Sequence, residues 1–230
     1  ETMVAFKAEA ASTGNDRLLL TAAVAAGIPI INSAYEIPKL AQYLDFVNLM
    51  SYDLHGAWDP VTGHNSPFRH GSWERGSARY LNFIATAQYW VRGGMPKEQL
   101  VLGVPFYGRS FTLRGKNTGV NAPARGPGRS GPFTGAAGFL AYYEVCLMIA
   151  NGGRVTRIPE MEVPYVVLGN QWVGYDDAQS LQTKVNYIVN NGFGGVMIWS
   201  IAMDDHTGQG CKAGRYPLMR ALRSTCNARV

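Results

Sequence analysis

Charge is scarce in this sequence. Only 16% of its 230 residues are charged, and the 21 Lys and Arg against 16 Asp and Glu form no basic run. The net charge of +5 therefore offers no stripe for nucleic acid or for an anionic membrane surface. Long apolar runs are missing as well. No stretch approaches the ~18 residues that cross a bilayer, and the mean hydropathy is -0.08. Cysteine is limited to Cys146, Cys211 and Cys226, with no C-x-x-C and no nearby His at ligand spacing. That count leaves open one disulfide with a free thiol, or three reduced core thiols. His55, His64, His70 and His206 form no H-E-x-x-H, and there is no G-x-S-x-G elbow. Neither a metal nor a cofactor is expected.

What is abundant is apolar and aromatic surface. Hydrophobic residues make up 47%, with 12 Tyr, 9 Phe and 5 Trp, which excludes disorder and supports a sizeable core. The chain opens on Glu1-Thr2-Met3-Val4-Ala5-Phe6-Lys7, which reads as the middle of a helix and leads us to expect sequence upstream. Arg17 to Ala25 is a continuous apolar run, the pattern of a strand buried on both faces. Phe46 to Tyr52, Leu100 to Pro105 and Gly195 to Ile201 read as further strands. Helices are predicted over Tyr35–Tyr43, Ser77–Val91, from Asp177 through Leu181, Val185 and Ile188, and over Pro217–Ser224. Alternating strands and helices demand a parallel sheet. Between Arg109 and Tyr175 the rhythm breaks into a small α+β insertion. Without it, roughly 165 residues remain for four βα units, against about 250 for an eight-unit barrel.

Gly126-Pro127-Gly128-Arg129-Ser130-Gly131 satisfies G-x-G-x-x-G. Its prolines and the lack of a preceding strand favour a surface loop over a phosphate cradle. Polar and aromatic residues gather instead at strand ends: Met50-Ser51-Tyr52-Asp53, Tyr107-Gly108-Arg109, and Trp199 with Asp204-Asp205 beyond. In a parallel barrel these share the C-terminal face, where function resides, and the set suits a sugar. Equally, Tyr52 and Trp199 could fill the barrel while Asp53 and Arg109 form a structural pair.

Leu44-Asp45-Phe46-Val47-Asn48-Leu49-Met50-Ser51-Tyr52-Asp53-Leu54-His55-Gly56 closely resembles the sixth-strand signature of family 18 chitinases. Leu102 to Phe111 resembles the seventh strand, and Gly194 to Trp199 the eighth. Ala141 to Cys146 and Trp172 to Asp176 are similar to that family's insertion domain. The resemblance implies a (β/α)8 TIM-barrel α/β fold with only strands five to eight present. Barrel parts would lie at 1–109 and 176–230, with the insertion at 110–175. It implies action on chitin or chito-oligosaccharides in a secreted protein, with the substrate's N-acetyl oxygen as nucleophile, an exception to the two-carboxylate scheme.

By position, Asp53 and Tyr52 would hold the acetamido group, and Met50 and Trp199 would floor the site. Tyr107 and Arg109 would bind neighbouring groups, and Trp58 and Glu144 would line the cleft. Cys146 would pair with Cys211. One departure stands out: the D-x-x-D-x-D-x-E string that carries the family's general acid does not occur. The resemblance thus implies that the partner of this chain is the upstream half of the same barrel. It leaves two functions, a chitinase or a chitinase-like lectin.

Overall fold

Short apolar runs become the strands of a parallel sheet, and the computed structural model describes them within residues 1–227. Ala228, Arg229 and Val230, at the end of the last predicted part, lie outside the described residues. The first half contains α1 (Thr2–Thr13), β1 (Thr21–Ala25), α2 (Ile28–Ala34), α3 (Ile37–Tyr43), β2 (Phe46–Met50), α4 (Phe83–Arg92) and β3 (Leu100–Pro105). Both α2 and α3 carry Pro in the first turn, where its missing N–H has no helical partner to lose. The predicted Ser77–Val91 helix is divided. A 3-10 turn occupies Gly76–Tyr80, and α4 begins only after Asn82, whose side chain accepts the Ala85 N–H.

After β3 the chain changes sheets at once. β4 (Tyr107–Leu113), β5 (Ala124–Pro127), β6 (Phe139–Ala141), β7 (Arg154–Ile158), β8 (Val163–Leu168) and β9 (Gln171–Gly174) form an antiparallel sheet in the order β5-β4-β9-β8-β7, with β6 also on β4. α5 (Tyr142–Ala150) follows β6. The chain then returns through α6 (Ala178–Asn190), β10 (Gly195–Trp199) and α7 (Pro217–Asn227). The parallel sheet has the order β1-β2-β3-β10, which leaves β1 and β10 at its edges.

One face of that sheet is dry. Val47, Leu49, Leu102 and Val104 pack with Phe83 and Trp90 of α4 and with Leu181, Val185 and Ile188 of α6. Each such side chain contributes about 1.5–3 kcal/mol by leaving water. The opposite face is open, where Phe46, Asn48, Val101 and Met197 line a concavity of about 480 Å³. This corrects the expectation for the first strand. Thr21 and Ala23 are exposed while Val24 is buried, and Leu18 and Leu19 precede the strand with 56% and 65% exposure. An edge strand on a half-covered sheet has only one neighbour and one packed face.

The second layer is tied to the first covalently. Cys146 on α5 and Cys211 in the loop after β10 form a disulfide across 65 residues, with Cα atoms 4.8 Å apart, and Cys226 is free. Peptide mapping without reductant is expected to recover Cys146 linked to Cys211. Reduction is expected to cost about 4 kcal/mol of stability in the chain-entropy account. Unchanged denaturation midpoints with and without reductant would show that the link constrains nothing.

Candidate functional site

The end of β2 delivers Asp53 in a conformation that few non-glycine residues adopt. Its φ is 57°, a position that costs free energy and is kept only when its surroundings fix it. Asn65 does much of the fixing. Its side chain accepts the Asp53 N–H at 2.9 Å and donates to Tyr107 O at 3.1 Å, while its carbonyl accepts the Leu54 N–H. Ser51 Oγ donates to Gly103 O at 2.8 Å, and Ser66 Oγ donates to Ser51 O at 2.7 Å. Both limbs of the loop are thus bonded to each other and to β3.

The Asp53 carboxylate is gripped from the antiparallel sheet. The Tyr107 hydroxyl donates to Oδ1 at 2.6 Å, and Arg109 donates through Nε at 2.8 Å and Nη2 at 2.7 Å. Burial, followed by the charge and hydrogen bond of Asp53, drives the Tyr107 hydroxyl far above its ordinary range, so it remains a donor. Tyr52 is pushed up to about 12 by burial and by Asp53. The Arg109 guanidinium lies over Trp58, Tyr107 and Phe139 at 5.3, 5.6 and 5.5 Å, and Phe139 stacks on Tyr107 at 4.7 Å. A bidentate, ring-enclosed guanidinium is rigid.

The indole of Trp58 is 59% exposed, and it folds back onto Gly56, where a Cβ would come within 2.4 Å of the ring. Met50 and Trp199 end β2 and β10 and so reach the same edge of the sheet, as register partners of Ala25 and Pro105. Trp199 is 55% exposed. Tyr52 meets Tyr107 edge-on at 6.0 Å and points its hydroxyl at Met197 Sδ, 3.8 Å away. The arrangement is a carboxylate held at fixed angle among flat apolar faces.

Residues 1–204 match the model of glycosyl hydrolases family 18. The chain belongs to that family. It is 49% identical over 225 residues to chitinase-3-like protein 2 of Homo sapiens, covering 97% of this chain and 57% of that protein. It is 46% identical to chitotriosidase-1 of Mus musculus, covering 97% of this chain and 47% of that protein. A solved structure of human YKL-39, described as a pseudo-chitinase with retained chitooligosaccharide binding properties, superposes with a TM-score of 0.95 at 48% identity, covering 98% of this chain and 62% of that one. The chain therefore spans about half the length of these curated relatives, and its fold is of the TIM-barrel α/β type that family 18 implies.

Glu144 is not in the cleft. It is 2% exposed, and its carboxylate accepts the N–H groups of Phe133, Thr134 and Ala141 and the Thr134 hydroxyl. It closes the N-terminus of α5, and Gly131 lies so near that a Cβ would overlap the carboxylate. The G-x-G-x-x-G stretch is accordingly a loop packed on a glutamate. Asp204 is likewise structural, capping α7 through the N–H groups of Leu218 and Met219.

Asn65, Phe139, Met197 and Lys184 emerge only from the structure. Lys184 had a signal in the sequence, because it shares the apolar face of α6 with Leu181, Val185 and Ile188. It is fully buried, and its ammonium donates to Ser66 O, Ser66 Oγ and Asp176 at 2.7 to 2.8 Å. Burial pulls its pKa down while Asp176 resists.

His64 completes this interior. Its Nδ1 accepts the Ser66 N–H, so Nε2 carries the proton and donates to Tyr175 O at 2.8 Å. Burial and then the Lys184 charge bring its pKa down to about 3. The unfolded imidazole binds a proton near pH 6.5 that the folded one refuses. The His64 contribution to stability is therefore full above pH 6.5 and is lost as pH drops toward 3, by about 1.4 kcal/mol per pH unit. Urea denaturation at pH 7, 6, 5 and 4 is expected to show this slope in wild type and a flatter one in His64→Gln. Equal slopes would remove His64 as the cause.

Proposed function

We propose that the cleft around Asp53 binds β-1,4-linked N-acetylglucosamine oligomers. In the whole protein it forms the substrate-holding side of a retaining chitinase centre in which the acetamido oxygen of the sugar acts as nucleophile. The fixed Asp53 carboxylate carries this reading. Three donors take three of its roughly four acceptor positions, leaving one for an acetamido N–H. A carboxylate held there interacts more strongly with a positively charged oxazolinium than with the neutral substrate, which is the difference catalysis needs. Tyr52 adds a hydroxyl, Trp58 and Trp199 add ring faces, and Met50 adds apolar floor.

In the same reading the parallel sheet is strands five to eight of a (β/α)8 barrel, with parts at 1–109 and 176–230. The antiparallel sheet belongs to the insertion at 110–175. The open sheet face is covered by the upstream half of the barrel, and the disulfide suits an oxidising, extracellular setting.

A lectin remains the second reading, for a specific reason. Of the carboxylates near this face, Asp53 is held by Arg109 and Tyr107, while Glu144 and Asp204 bind backbone N–H groups. All three are thus engaged as acceptors, and the similarity to YKL-39, described as a pseudo-chitinase with retained chitooligosaccharide binding, favours binding alone. Assayed on a chromogenic chitobioside, the whole protein is expected to lose about 10²-fold or more in kcat on Asp53→Ala, with a smaller change in oligomer affinity. Binding without turnover in wild type would establish the lectin. Absence of both would sink the two readings together.

The 230-residue chain alone exposes two strand edges and one sheet face. Light scattering is expected to show association, and the chitobioside assay no turnover. A monodisperse, active monomer would contradict this placement of the sheet.

A further inference from the structure

Three arginines that are dispersed in the sequence, Arg69, Arg79 and Arg92, are brought by the fold to one place. Buried Phe83, Thr86, Ala87 and Trp90 turn one face of α4 to the core. The outer face presents Ile84, Gln88 and Arg92 one turn apart. The segment before α4 lies alongside its start. Phe83 and Ile84 donate their N–H groups to Pro67 O and Phe68 O, and Asn82 Nδ2 donates to Arg79 O at 2.9 Å. Arg69, His70 and Arg79 are thereby placed beside this outer face.

Between them lies a groove of about 430 Å³ lined by Arg69, His70, Arg79, Asn82, Gln88 and Arg92, with Tyr80 and Ile84 as apolar wall. No Asp or Glu lines it. The nearby acids are already engaged: Glu162 binds Arg69 at 2.7 Å, Glu160 binds Ser72, and Glu74, whose charge reaches His70, accepts the Gly71 N–H. Among the described residues, Arg79 and Arg92 have no ion-pair partner, and Arg92 lies over the Tyr89 ring at 6.0 Å. Arg69, His70, Arg79 and Arg92 are all exposed. Arg79 and Arg92, two like charges facing one concavity without an ion-pair partner among the described residues, repel one another, an arrangement relieved by an anion.

We propose that this groove is an oxyanion site that takes sulfate or phosphate esters, with Arg79 and Arg92 as the principal ligands and Arg69 and His70 flanking. Guanidinium forks match tetrahedral oxyanions through paired N–H donors. Eight residues of α4 separate Ile84 from Arg92, a rise of about 12 Å, so the groove accommodates a short run of an esterified chain as well as a single ion. The site lies on the outer surface of α4 and does not depend on how the Asp53 cleft functions.

Calorimetric titration of the whole protein with inorganic sulfate, inorganic phosphate, a sulfated tetrasaccharide and its unsulfated counterpart tests this. Binding of at least one anionic probe is expected, weakening steeply with added salt, with none for the unsulfated sugar. Comparable affinity for the inorganic ions identifies a free-anion site. Preference for the sulfated sugar identifies a chain site. Either supports the oxyanion assignment. Arg79→Gln with Arg92→Gln is expected to weaken binding tenfold or more, whereas Lys116→Gln with Arg125→Gln leaves it unchanged. The bound anion is also expected to slow modification of Arg79 and Arg92 by phenylglyoxal in the wild-type chain. No anion binding, or an equal loss in the two double variants, would overturn the proposal.

Discussion

A single buried ammonium joins the parts of this molecule that have to stay in register. Lys184 leaves α6 with no exposure and meets Asp176 at the end of the antiparallel layer and Ser66 in the loop that returns from Asp53. A charge taken so far from water is costly unless every donor is met, and here the bonds tie α6 to two other segments. Ser180 donates to Asp176 at 2.7 Å, Ser66 donates to Ser51, and His64 receives Ser66 while bonding Tyr175. Moving any one segment strands the charge. Apolar packing alone would not fix these segments so sharply, because its free energy is non-directional.

The Asp53 loop inherits that rigidity. A left-handed aspartate is a poor local choice for a flexible loop, yet Asn65 and Ser66, adjacent in sequence, lock it on one side to β4 and on the other to Lys184. The two sheets meet at this point. Asp53 comes from the end of the parallel layer, and Tyr107 and Arg109 come from the first strand of the antiparallel one. Orientation of the carboxylate therefore reports the relative placement of both layers, and the disulfide between α5 and the loop after β10 limits how far that placement can drift.

Most elements were legible in the sequence because periodicity and caps are local properties. Asp177 acts on α6 within a few residues, whereas the Asn82 cap that starts α4 was passed over by the apolar spacing from Ser77 onward. What was not legible depends on neighbours distant in the chain. The Arg17–Ala25 run looks fully buried on composition, but cover is a property of the sheet and not of the strand. Glu144 stands in a motif beside Tyr142 and Tyr143, and nothing local distinguishes a cleft carboxylate from one that closes a helix on Phe133 and Thr134. Asp53 and Arg109 were each identifiable, and so was the possibility that they pair. Phe139 and Asn65, which set the geometry of that pair, carry no signal until β6 is laid on β4. Lys184 is the exception, since a lysine on the apolar face of an amphipathic helix is informative from its spacing alone.

Proton inventory separates holding a sugar from cleaving its bond. Cleavage needs a carboxylic acid with its proton available near the glycosidic oxygen, whereas holding needs a fixed acceptor, donors and ring faces. Asp53, Tyr107, Arg109 and the rings packed on them are of the second kind. Tyr107 is kept protonated by burial and by Asp53 itself, which makes it a firm donor and a poor proton source. The Arg109 guanidinium is a permanent cation. His64, the buried imidazole closest in sequence to Asn65, is neutral and directs its one proton to a backbone carbonyl. The two acids after β10 bind backbone N–H groups, and Asp204 is shifted upward by burial while it caps α7. In the proposed reading, any hydrolysis beside Asp53 draws its proton from a group outside these residues, which supply only an acceptor, donors and ring faces.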